Sequence, residues 1–113
     1  MPAVPQRALH ILLVEDHPLH QIATKKVLNT WSDLVNVTVV GNGKEALVKT
    51  QESDFDIVLM DLQMPEMGGI EAATNLRHFS TVPIIALTAS TSKQEEDHCY
   101  QVGINDYLAK PFQ

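Results

Sequence analysis

Four short apolar runs in this 113-residue chain each give way to side chains that could do chemistry. His10 to Val14 is followed by Glu15 and Asp16, and Asp56 to Met60 by Asp61. Val82 to Leu87 is followed by Thr88, and Asn105 to Ala109 by Lys110. Three carboxylates, a hydroxyl and an ammonium form a coherent set. Carboxylates held close together repel, and a hard cation relieves the repulsion. Oxygen ligands with positions left for water suit Mg²⁺. A cation and a lysine together neutralise charge on a transferring phosphoryl group. A hydroxyl can donate to a phosphoryl oxygen, and a carboxylate can itself be the nucleophile, giving an acyl phosphate. These are the parts needed for phosphoryl transfer to a carboxylate.

The set works only if the chain brings it to one place, and the hydrophobic pattern says how. The run ending at Val14 is rich in branched residues and reads as a strand buried on both faces. Pro18 suits a first helical turn. Leu19, Ile22, Ala23, Val27, Leu28 and Trp31 then recur at helical spacing, predicting a helix over 18–31. Residues 35–40 read as a second strand. Gly41-Asn42-Gly43 reads as a turn, with a short helix over 44–51 that turns Ala46 and Leu47 inward. A third strand covers 56–60. The segment from Met64 to Gly69 is a loop by its Pro and paired Gly. A helix over 69–78 carries Ile70, Ala73 and Leu76 on one face, and residues 82–87 form a fourth strand. A mostly polar helix over 92–102 and a short strand over 105–109 complete the pattern. Strands alternating with helices imply right-handed βαβ units and a parallel sheet. Ligand sites in such sheets lie beyond the carboxyl ends of the strands, at a topological switch point. All five candidate residues fall there.

Composition narrows the setting. The length fits one domain, and 44% apolar residues is ordinary for a globular chain. A net charge of −6, from 14 acids against 8 bases, argues against direct contact with nucleic acid or an anionic membrane surface. No stretch approaches the roughly 18 apolar residues of a membrane span. The single Cys99 has no internal disulfide partner, which fits a reducing compartment and a cytoplasmic location. Residues 1–8 read as a tail or expression remnant.

Four segments in order and register carry a family resemblance. They are Leu12-Leu13-Val14-Glu15-Asp16, then Val58 to Pro65, then Pro83 to Ala89, then Gly103 to Phe112. From about residue 9 to the last residue the chain resembles the CheY-like receiver domains of response regulators and hybrid histidine kinases. The resemblance implies a flavodoxin-like, doubly wound α/β fold with a five-stranded parallel sheet in the order 2-1-3-4-5. It implies that Asp61 accepts a phosphoryl group from a phosphohistidine on a histidine kinase or histidine phosphotransfer domain. Asp16, Asp61 and the backbone carbonyl of Gln63 are the implied Mg²⁺ ligands, with Glu15 acting through water and Mn²⁺ as a substitute. Thr88 and Lys110 are implied to hold the phosphoryl group, and Tyr107 to turn inward as Thr88 moves. The Lys110–Pro111 bond resembles one that is cis in this family. Such a domain catalyses its own phosphorylation and slow dephosphorylation, although its business is signalling. The run Glu15-Asp16-His17-Pro18 and the segment 61–69 resemble receivers of hybrid kinases, which would tether the domain to a membrane sensor.

The receiver pattern continues into a fifth helix after Lys110-Pro111-Phe112, and here the chain ends at Gln113. The domain, 9–113, is expected to stop after strand 5. That would leave an apolar strip for self-association. The connection at Phe79 to Val82 is also short for the pattern.

Each candidate has a plainer reading when taken alone. Asp16 could cap a helix, Asp61 could close a turn, Thr88 could cap a segment, and Lys110 could be a solvated surface residue. Four such coincidences at four strand ends do not hold together. His17 and His20 invite a metal reading, but His20 is expected on the first turn facing solvent. Cys99 is expected to pack against the sheet. A haloacid-dehalogenase-type phosphatase needs an acid where Gln63 stands. A flavodoxin-like nucleotide binder needs a Gly-rich loop after strand 1. A receiver-like module that never takes phosphate would lack one of the key residues, and all are present.

Overall fold

The computed structural model describes residues 8–30, 34–62, 67–88 and 92–109. Five strands and four helices alternate: β1 (Leu9–Val14), α1 (Pro18–Asn29), β2 (Val35–Val40), α2 (Gly43–Glu52), β3 (Ile57–Asp61), α3 (Gly69–Leu76), β4 (Ile84–Thr88), α4 (Lys93–Gln101) and β5 (Asp106–Ala109). The strands form one sheet in the order β2-β1-β3-β4-β5, every pair parallel. The order reverses between β1 and β3, so the switch point lies where Glu15, Asp16 and Asp61 emerge.

Side-chain alternation divides the core in two. Leu12, Val14, Val58, Met60, Ile84 and Ala86 point to the face covered by α2, α3 and α4, where they meet Ala46, Ala72, Ala73, Leu76 and Cys99. Ile11, Leu13, Leu59 and Leu87 point to the opposite face, where α1 supplies Leu28. Beside α1 that second face holds an apolar cavity of about 150 Å³, floored by Ile11, Ile57, Leu59 and Ile85 and edged by Val27 and Leu108. Val27 and Leu108 are about half exposed.

Element boundaries moved for local reasons. β4 begins at Ile84 rather than Val82, because Pro83 has no N–H for the ladder and contributes only its carbonyl, to Val58 N at 2.8 Å. α1 closes at Thr30, whose hydroxyl donates to the Val27 carbonyl at 2.6 Å. α3 ends at Leu76, before the expected His78. Its last carbonyls are taken in tightened turns by the N–H groups of His78 and Phe79. Within the expected turn Asn42 caps α2, its side chain accepting from Glu45 N at 2.9 Å.

The short connection after α3 is tied down by Arg77. Its guanidinium donates to the carbonyls of Gly103 (2.9 Å) and Ser80 (3.2 Å) and to Asn105 Oδ1 (2.8 Å). Asn105 Oδ1 also accepts from Ile84 N at 2.9 Å. These bonds lock the amino ends of β4 and β5 to α3.

Candidate functional site

Strand register sets the site. Val14 pairs with Met60, so Glu15 and Asp61 leave β1 and β3 side by side. Asp61 pairs with Leu87, which puts Thr88 one step further out on the neighbouring strand. Thr88 in turn pairs with Ala109, the residue before Lys110. Lys110, Gln63 and the Lys110–Pro111 bond lie outside the described residues.

Glu15, Asp16 and Asp61 each offer a carboxylate oxygen, and all three oxygens lie within 4.8 Å of one another. Glu15 and Asp61 are buried and Asp16 is exposed, so the cluster opens to solvent on one side. The backbone holds it in place. Glu15 N donates to the Val40 carbonyl at 3.0 Å, and Gln21 Nε2 donates to the Glu15 carbonyl at 2.6 Å. Leu62 N donates to the Leu87 carbonyl at 3.0 Å, just after Asp61. Gly69 starts α3 directly against this segment. A Cβ there would come within 2.7 Å of the Asp61 carbonyl and 2.8 Å of Leu62 Cα, so only glycine lets the helix pack so closely.

The reading of Asp16 as a helix cap is overturned. The cap of α1 is His17, whose Nδ1 accepts from Leu19 N at 3.2 Å. Asp16 is thereby left to the cluster. His20 keeps about half of its side chain open to solvent, as expected, and turns the rest toward the cluster. Its ring stacks on His17 with centroids 4.4 Å apart, and its Nδ1 lies 3.1 Å from Glu15 Oε1. The two histidines are three positions apart, from the N-cap into the first turn, which places the rings on one face.

On the other side of Asp61, Thr88 is fully buried. Its Oγ1 donates to Glu95 Oε1 on α4 at 2.7 Å, and Tyr107 shares a hydrogen bond with it. Tyr107 packs against the core face of the sheet. Burial pushes its phenol above the ordinary range, and the charge of Glu95 adds to this. Glu95 was missed in the sequence. The available signal was its place one turn before Cys99, which is wholly buried. Burial first, then Glu95 and Glu96, push the Cys99 thiol up, so it is an inert packing residue as expected.

The donor set fits a hard cation. It is all oxygen, bears three negative charges if ionised, and has an open side for water. Among the described residues, no helix is long and apolar enough to cross a membrane.

Comparison with known proteins agrees with this geometry. The sequence model of the response regulator receiver domain matches residues 11–113. The chain is 35% identical over 116 residues to the sensor protein GacS of Pseudomonas syringae pv. syringae, covering 97% of this chain and 13% of GacS. It superposes with a TM-score of 0.84 and 38% identity on the receiver domain of the sensor histidine kinase PA1611 of Pseudomonas aeruginosa, whose structure has a magnesium ion in the active-site cleft. That match covers 94% of this chain and 88% of the other. It superposes equally, at 0.84 with 32% identity, on the receiver domain of Saccharomyces cerevisiae Ssk1 in complex with the phosphotransfer protein Ypd1, covering 93% and 80%. The chain belongs to the response regulator receiver domain family. Its function is that of a receiver in two-component signalling, where an aspartate accepts a phosphoryl group. The chain spans 10% to 20% of the length of the first three curated relatives, one of them a hybrid signal transduction histidine kinase of Dictyostelium discoideum.

Proposed function

We propose that Asp61 is the phosphoacceptor, working with Mg²⁺ held by Asp16, Asp61 and the Gln63 carbonyl, with Glu15 reaching it through water. The observation that carries this reading is the convergence of three carboxylates within 4.8 Å at the switch point of the sheet, beside the hydroxyl of Thr88. When bound, the cation offsets the charge gathered on the transferring group; Mn²⁺, also a hard oxygen-seeking ion, would substitute.

An Asp61 carboxylate oxygen attacks the phosphorus of a phosphohistidine. The P–N bond breaks with its electron pair going to the imidazole nitrogen, and an acyl phosphate forms on Asp61. Lys110 pairs with the phosphoryl oxygens. Thr88 donates its hydroxyl proton to one of them, and Tyr107 follows Thr88 inward. Attack by water on the acyl phosphate later restores the carboxylate.

The donor is a histidine kinase or a phosphotransfer domain. The crystallised pairing of the Ssk1 receiver with Ypd1 supports this class of partner. So does the chain itself: Leu19 and Ile22, on the first turns of α1 beside the acid cluster, are 69% and 63% exposed. Such an apolar rim next to a charged centre suits protein docking. The domain acts in the cytoplasm, and a kinase core beyond this chain would tether it to a membrane sensor.

The test is intact mass after incubation with Mg²⁺ and phosphoramidate. One phosphoryl adduct is expected in the wild type, lost on chelation of the metal and absent in Asp61→Asn. An adduct that survives in Asp61→Asn would move the acceptor elsewhere.

A further inference from the structure

Thr88 has one hydroxyl proton, and here that proton goes to Glu95 over 2.7 Å. A carboxylate only accepts, so Thr88 is the donor, and Tyr107 shares a hydrogen bond with the same hydroxyl. The Thr88–Glu95 bond joins β4 to α4, with Tyr107 of β5 beside it. It is charge-assisted, and it is shielded at Thr88, which is fully buried. Glu95 is held at its end of this bond by local structure. Ser92 caps α4, its side chain accepting from Glu95 N at 3.2 Å. The 2.7 Å bond carries the carboxylate from α4 to the end of β4, where its charge also raises the pKa values of Tyr107 and Cys99.

A phosphoryl group on Asp61 would need the same Thr88 proton. One proton cannot serve two strong acceptors. We propose that Glu95 is a positioning residue that brakes the switch: its carboxylate holds Thr88 and Tyr107 in the resting arrangement until a phosphoryl oxygen takes the hydroxyl from it. This rests on the reading of Asp61 and Thr88 given above. Once displaced, Glu95 is an unpaired carboxylate on a half-buried helical turn near a new negative charge. It must turn toward water, so α4 becomes the element that registers the state of Asp61.

The experiment is equilibrium binding of beryllofluoride, a phosphoryl mimic, in the presence of Mg²⁺. It compares wild type, Glu95→Gln and Glu95→Ala, each with Thr88 intact and with Thr88→Val. Removing a charge-assisted acceptor should tighten binding by about ten-fold in Glu95→Ala, and by less in Glu95→Gln, whose neutral carbonyl still accepts. Both gains should vanish in the Thr88→Val background. Loss of a nearby negative charge alone would favour an anion whatever stands at position 88. Equal tightening in both backgrounds, or none with Thr88 intact, therefore overturns the brake.

A second readout is the NMR signal of the Tyr107 ring without beryllofluoride. In Glu95→Ala it should move toward its position in the beryllofluoride-bound wild type, and an unmoved signal overturns the proposal. A wild type that binds no beryllofluoride overturns both the receiver assignment at Asp61 and the brake. A wild type that binds it, with Glu95 acting independently of Thr88, overturns the brake alone.

Discussion

The two ends of the sheet solve opposite problems. At the amino ends of the strands, polar groups satisfy one another. His10 N donates to Asp56 Oδ2 and Asp56 N donates to the His10 carbonyl, both at 2.8 Å. Arg77, Asn105, Gly103, Ser80 and the Ile84 N–H close a second network. At the carboxyl ends, three carboxylates crowd within 4.8 Å, and a buried threonine spends its proton on a residue of another element. One end holds the strands together. The other stores like-charge repulsion that a cation and a phosphoryl group can use. The same sheet supports both because the β1–β3 switch point opens a crevice only at the carboxyl end.

The contrast predicts opposite responses to mutation. The largest effect belongs to the amino end. Asn105→Ala would strip the Ile84 N–H and one arm of Arg77 of their partner, and should cost about 1–3 kcal/mol of stability. Denaturant unfolding would read this as a lower midpoint, while the phosphoryl adduct on Asp61 persists. If the adduct is lost instead, the two ends are not separable.

At the carboxyl end the sign should reverse. Without divalent cation, Asp61→Asn removes one of three crowded charges and should stabilise the fold by roughly 1 kcal/mol. With Mg²⁺ the order should invert. The wild type gains by mass action, about 2.7 kcal/mol at a concentration one hundred times its dissociation constant, and the variant gains little. Thermal melts with and without Mg²⁺ decide it. An Asp61→Asn protein less stable than wild type without metal would mean that the carboxylate is a structural element.

The smallest effect is a matter of pH. The folded Cys99 thiol sits above its ordinary value, so the folded state holds that proton more tightly than the unfolded state does. Its contribution is present below the ordinary thiol pKa of about 8.5 and is lost as pH rises through the higher folded value. Stability measured upward from pH 8 should therefore fall less steeply in Cys99→Ala than in wild type, after allowance for the lower starting point. Parallel curves would mean that the thiol is as easily ionised inside as outside.

Much of this molecule could be read from local pattern. The five strands and four helices appear in the expected order, and the parallel sheet has the expected sequence of strands. Glu15, Asp16, Asp61 and Thr88 declared themselves as polar residues ending apolar runs. Misplaced boundaries also had local causes, such as Pro83 withholding a ladder donor and His17 taking the cap from Asp16. The pairings missed were those made across elements. His20 meeting Glu15, Arg77 reaching Asn105, and Glu95 reaching Thr88 join residues whose separations in sequence carry no fixed period.

The sequence by itself determined which residues alternate inward, where each strand ends and which chemistry waits there, because burial period and chain direction are properties of a single element. The tertiary structure alone decided which side chain receives the Thr88 proton and how near the three carboxylates stand. Those depend on register between strands and on how α1 and α4 pack against the sheet. A shift of one residue in either would rearrange the partners while leaving the hydrophobic pattern of each segment as it is.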